Sequence, residues 1–168
     1  PNIIKKFGEK ITSGENKGKW KLKIRVKNEA SEHDLQIGKL AEVGKAIGFN
    51  IWIGRNEQGH VYKEGRLSDY INPINLEIEN YSDNQLHEIK NIDLIWYKNK
   101  KICAIFEIEH STSITSALYR GAQINDNTIK RYIIMKQQGS QRTRLNRRLL
   151  NPWFTSEFDR AGWVVKYY

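Results

Sequence analysis

The chain has 168 residues, of which 28 are Lys or Arg and 19 are Asp or Glu, a formal charge of +9 at pH 7. That length suits one domain with a core of its own, and the single cysteine, Cys103, excludes an internal bridge, so a disulfide-built secreted scaffold is ruled out and a reducing, cytoplasmic setting is expected. The longest uncharged apolar run, Ile102 to Phe106, falls far short of the roughly 20 residues a membrane helix needs, and no signal-peptide pattern opens the chain, so no membrane partner is expected.

From Lys19 to Lys27 apolar and cationic residues alternate strictly, with Trp20, Leu22, Ile24 and Val26 on one face and Lys19, Lys21, Lys23, Arg25 and Lys27 on the other. This is the pattern of a half-buried strand, and the turn-forming Ser13 to Gly18 before it predicts a hairpin with residues 4–12. Its cations either track a phosphate backbone or protect a sheet edge from aggregation. Ser31 is placed as the N-cap of a helix over about 32–47 that ends at Gly48. Phe49 to Gly54 reads as a strand, and polar residues 55–86 as a long loop with at most one short element. Asn91 to Tyr97 and Ile102 to Glu109 form a hairpin, Ser111 to Ser113 offer an N-cap for a helix over about 114–124, and Thr128 to Met135 is a strand. A basic helix from Arg142 to Leu150 stops before Pro152, and residues 161–168 close as a strand. The expected architecture is α/β (α+β), a mixed central sheet flanked by helices. It is one domain over 1–168, divided into a basic hairpin (1–30), a core (31–135) and a basic helix with closing strand (136–168).

Residues 105–109 read Ile-Phe-Glu-Ile-Glu, so alternation puts Glu107 and Glu109 on one face. In the partner strand Asp93 sits among Ile92, Leu94 and Ile95, where a carboxylate is costly to bury unless it is paired or coordinated. Residues 93 and 107 face each other only if paired indices sum to 200, whereas an even turn at 98–101 gives 199. A bulge or a three-residue turn is therefore required. Three convergent carboxylates need a counter-charge, and hard oxygen donors select Mg²⁺, with Mn²⁺ as its substitute.

Asp93 followed by Glu107-Ile108-Glu109 resembles the PD-(D/E)XK nuclease superfamily, as does the order helix, three strands, helix, strand over about 32–135. The resemblance implies that Asp93 and Glu107 hold metal, and that Glu42 on the first helix supplies an additional acid. Ile92 stands where the family has Pro, and Glu109 stands where it usually has Lys. Glu109 accepts a proton or binds a second metal where a Lys would act as a cation. Mutual repulsion between the acids implies that Glu107→Ala leaves the fold nearly intact.

The charge is unevenly placed. Residues 1–30 hold nine Lys/Arg and three acids, and residues 130–148 hold seven Lys/Arg and no acid. Two basic patches thus flank a mildly acidic body, which suits a polyanionic partner. Arg142, Arg144, Arg147 and Arg148 are candidates for holding duplex DNA, as are Arg120 and Gln123, which share a helix face with Ser116 and Tyr119. Arg120 has two readings: it contacts the scissile phosphate, or it pairs with a local acid and orients it. Together with these residues, the resemblance implies a Mg²⁺-dependent endonuclease acting on duplex DNA, a type II restriction endonuclease or the nuclease domain of one. A homodimer is expected because one site cuts one strand. The alternative keeps the fold as a catalytically degenerate DNA-recognition module. A different class, a single-strand or RNA binder, would use Trp20, Trp52, Trp96 and Tyr119 as stacking platforms.

Overall fold

A computed structural model describes residues 8–10, 12, 17, 20–22, 30–109, 114–137 and 140–168, with backbone alone at 8–10, 20–22 and Gln141. Within the basic amino-terminal segment β1 (Gly8–Lys10) pairs antiparallel with β2 (Trp20–Leu22), the expected hairpin. Lys19, Lys23 and Arg25 lie outside the described residues, and only the backbone of Lys21 is described.

The body is a five-stranded mixed sheet. In spatial order its strands are β3 (Asn50–Ile53), β6 (Leu94–Lys98), β7 (Lys101–Glu109), β8 (Lys130–Met135) and β9 (Trp163–Tyr167). The first three run antiparallel, while β7, β8 and β9 are parallel to one another. Parallel neighbours require a crossover. It is supplied by α3 (Ile114–Ala122) between β7 and β8, and by α4 (Ser140–Leu149) and α5 (Pro152–Arg160) between β8 and β9. Ile95, Tyr97, Ile105, Ile133 and Met135 pack with Leu118 of α3, Leu145 of α4 and Phe154 and Phe158 of α5. On the opposite face Leu94, Phe106, Ile108 and Ile134 meet Ile37 and Ala41 of α1 (Glu32–Ala46). Both faces of β7 are therefore covered, which is why Ile102 to Ile108 is nearly continuously apolar.

The β6–β7 hairpin contains the irregularity that its index arithmetic demands. Asn99 and Lys100 form a two-residue turn with φ of +50° and +61°, and Lys98 pairs with Lys101. Tyr97 pairs with Ile102, but Trp96 pairs with Ala104, so Cys103 is the extra residue and the index sum changes from 199 to 200.

Residues 55–86 depart from the expected loop. They hold a small hairpin, β4 (Val61–Tyr62) with β5 (Gly65–Arg66), a 3₁₀ turn at Leu67–Tyr70, and the first turn of α2 (Asp83–Ile89). The α2 start is a reciprocal cap in which Ser82 Oγ accepts from the Gln85 N–H and Gln85 Oε1 accepts from the Ser82 N–H at 3.0 Å. Pro152 also has a second role. It ends α4, and it is the first residue of α5, whose N-cap Asn151 accepts from the Trp153 N–H at 3.0 Å and the Phe154 N–H at 3.2 Å. Among the described residues, no helix is long and apolar enough to cross a membrane.

The first helix sits close to the sheet because its inner face carries Gly44, while Gly38 lets the Tyr62 ring approach the same helix. A Cβ built on Gly44 would lie 2.5 Å from Trp96 Nε1 and 2.7 Å from Ile51 Cδ1. Trp96 cannot readily retreat, being stacked on Phe49 and tilted against Phe106. Gly44→Ala therefore sets a gain of about 1 kcal/mol in helix propensity against overpacking of about 1–3 kcal/mol. The expected result in urea denaturation is net destabilisation, and a variant more stable than wild type would show that the helix is free to move.

Candidate active site

Continuing the β6–β7 register one step beyond Leu94↔Phe106 puts Asp93 opposite Glu107. Both are buried, with relative exposures of 7% and 1%. Each has answered the cost of burial differently. Asp93 Oδ2 accepts from the Ile108 N–H at 2.7 Å and from His33 Nε2 at 3.3 Å. Both oxygens of Glu107 are gripped by Arg120 of α3, with Nε donating to Oε1 at 2.8 Å and Nη2 to Oε2. Of the two sequence readings of Arg120, the structure has the one in which it pairs with a local acid.

Electrostatics work against the ionised form of Glu107. Burial first, then the neighbouring Asp93 carboxylate, push its carboxyl well above the ordinary range, while Arg120 pulls it back and Glu109 adds to the push. Burial works against the Arg120 charge too, but its hydrogen bonds to Glu107 outweigh that and hold the guanidinium firmly protonated. The acids are thus matched by a cation from the helix that follows their strand.

A second cluster escaped the sequence reading. Asp34, in the first turn of α1, is 7% exposed; Ser31 Oγ donates to its Oδ2 at 2.7 Å, and His60 Nδ1 donates to its Oδ1 at 2.9 Å. His33 stands between Asp34 and Asp93, its Nδ1 3.3 Å from Asp34 Oδ1 and its Nε2 3.3 Å from Asp93 Oδ2. Burial alone would lower its pKa, but the two carboxylates, Asp93 foremost, push it up to about 9. With a carboxylate at each ring nitrogen, both nitrogens donate. Glu57 also belongs here. Its Oε2 is buried without a hydrogen-bond partner and rests where a Cβ on Gly54 would lie, and burial followed by repulsion from Asp93 raises its carboxyl. The legible signal was the Ser31 N-cap with an acid three residues on. His60 and Glu57 come from the segment read as loop, and only the fold brings them near.

The remaining candidates are dispersed. Glu42 accepts from Lys63 Nζ and from Tyr70 Oη at 3.0 Å, which ties α1 to the β4–β5 region and gives it neighbours other than the Asp93–Glu107 pair. Glu109 ends β7 half-buried, close enough to add to the charge felt by Glu107. Gln123 is bound into its own helix end, its Nε2 donating to the Tyr119 carbonyl at 3.3 Å. Arg142, Arg144, Arg147 and Arg148 are exposed along α4, with Arg142 lying over the Tyr167 ring. Arg131, counted in the same basic stretch, is buried and donates to the carbonyls of Ile124, Asp126, Ile129 and Ala161. Trp52 and Trp96 pack into the two cores, whereas Tyr119 is exposed. The Trp20 side chain and His110 to Ser113 lie outside the description. Among the described residues, no three His, Cys, Asp or Glu side chains form a ready-made metal site.

Against the expectation that Glu107→Ala spares the fold, the Arg120 contact predicts a loss of stability. The substitution would strand a largely buried guanidinium, and breaking such a pair costs about 3 kcal/mol. Glu107→Gln keeps an acceptor for Arg120 and should lose less. Urea denaturation of both variants checks this, and an alanine variant as stable as wild type would mean that the pair contributes nothing.

Residues 16–160 match the family of type II restriction enzyme NmeDI C-terminal domains. Over 93 residues the chain is 37% identical to the type II restriction enzyme NmeDI of Neisseria meningitidis serogroup C, an alignment covering 52% of this chain and 26% of that enzyme. The match thus spans about a quarter of the relative's length. No solved structure matches the chain. With a family match over most of its length, the chain belongs to the NmeDI C-terminal domain family of type II restriction enzymes.

Proposed function

We propose that the chain is a Mg²⁺-dependent endonuclease domain of PD-(D/E)XK type, in its Glu-x-Glu variant, hydrolysing phosphodiester bonds of duplex DNA within a type II restriction enzyme. The observation that carries this reading is the bulge at Cys103, which turns Glu107 toward Asp93 at one end of the central sheet. The restriction-enzyme family adds support. A homodimer is part of the proposal, because one such site cuts one strand.

The donors suit a hard divalent cation. Mg²⁺ takes one or two protein carboxylates and completes its shell with water and substrate phosphate, so a site of three protein donors is not required. Asp93 and Glu107 would hold it, Glu107 having a second lone pair on each oxygen beyond those bound by Arg120. When bound, such an ion supplies positive charge to the phosphodiester and acidifies a water molecule. Glu109, an anion on the same strand face, accepts a proton or carries a second ion. Arg142, Arg144, Arg147 and Arg148 hold the phosphate backbone on the outer side of α4. Arg120 fixes Glu107 in orientation.

The second reading, a degenerate module that binds DNA without cutting it, draws on the same Arg120. A guanidinium on both oxygens of Glu107 already provides the counter-charge that a metal would bring. Plasmid nicking separates the two. The wild type should nick with Mg²⁺ or Mn²⁺ and be silent in EDTA, and Glu107→Gln should reduce the rate by about 10²-fold or more while DNA affinity stays the same. A wild type that binds duplex DNA and never nicks it leaves the degenerate module as the function.

The DNA surface has its own test. Replacing Arg144, Arg147 and Arg148 by Gln should lower the slope of log affinity against log salt by up to about 3, each duplex phosphate contact contributing about 0.9. An unchanged slope moves the surface elsewhere, first to the β1–β2 hairpin.

A further inference from the structure

Asp93 has two carboxylate oxygens, and the structure treats them differently. Oδ2 accepts the Ile108 backbone N–H at 2.7 Å and the His33 Nε2–H at 3.3 Å, which accounts for both of its in-plane lone pairs. His33 is itself fixed from behind, Nδ1 against Asp34 Oδ1 at 3.3 Å. Asp34 is held in turn by Ser31 and His60, so a chain of four side chains runs from the start of α1 and the 55–61 segment to Asp93. A surface histidine would swing freely. This one is largely buried, with a side-chain exposure of 22%, and is clamped at both nitrogens.

We propose that His33 is a positioning residue that, together with the Ile108 N–H, saturates Asp93 Oδ2 and so presents Oδ1 as the oxygen of Asp93 that meets the divalent cation. The proposal rests on the metal-nuclease reading above. Partners one layer behind a metal ligand set its orientation and contribute roughly 10–100-fold to metal affinity. His33 is therefore expected to act on cation binding itself, before any DNA is cut.

The two ring nitrogens can be tested separately, because the amide nitrogen of Gln reaches about where Nε2 sits and that of Asn about where Nδ1 sits. Mn²⁺ alone, titrated into the protein and read by electron paramagnetic resonance, reports binding without activity. His33→Gln keeps the donor to Asp93 and should bind Mn²⁺ nearly as wild type does. His33→Asn keeps only the Asp34 contact and should bind at least about tenfold more weakly, with circular dichroism showing both variants folded. Equal, wild-type affinity in both variants overturns the proposal. If Asp93→Asn and Glu107→Gln abolish Mn²⁺ binding while both His33 variants retain it, the role of His33 alone is wrong. If binding is indifferent to Asp93→Asn and Glu107→Gln, or the wild type binds no Mn²⁺, the metal reading fails and the proposal falls with it.

Discussion

Everything around the site answers one constraint, a carboxylate at the inner end of a central strand with 1% of its surface in water. Glu107 cannot face away, because the neighbouring positions of β7 are committed to two apolar layers. It cannot remain uncompensated either, since an isolated buried charge costs more than a domain's whole stability. The cation that meets it comes from α3, the helix that the chain needs anyway to cross from β7 to the parallel β8. Topology and electrostatics are solved by the same element. The bidentate geometry suits Arg and excludes Lys, which presents a point charge where a fork is needed.

Asp93 is compensated by a different route. It sits just before β6, so its carboxylate reaches across to the Ile108 N–H, a backbone donor already held in place by the sheet. The other contact, His33, is delivered by the first turn of α1, on the face of the sheet opposite α3. The acidic pair is thus approached by one cation from each layer of helices. Glu57 enters from a third direction, and Gly54 makes room for it.

How far the sequence reveals this depends on whether the determinant is local. Alternation in β7 and the α1 cap are local, and both were legible. The bulge was legible too, although long-range in effect, because index parity constrains it: an even turn with Asp93 opposite Glu107 has no other solution. The first turn of α2 was hidden by polar composition, although Ser82 and Gln85 carry a capping box. Pro152 was read by its power to stop a helix, while its fitness to start one is the same fixed φ seen from the other side. Asp34, His33, His60 and Glu57 could not be found by spacing. His33 and Asp93 are sixty residues apart, and no local pattern encodes their meeting.

Arg131 shows how a formal charge differs from a surface. A guanidinium buried among four carbonyls fastens the turn after α3 to the end of α5, and presents nothing outward. Arg120 is likewise turned inward. Two of the positive charges that make the sequence basic are therefore engaged in internal hydrogen bonds. What a polyanionic partner meets stands on the outside, and among the described residues α4 carries four exposed arginines with no acid between them. A basic composition can thus belong to a molecule that turns part of its positive charge outward and uses the rest inside as mortar.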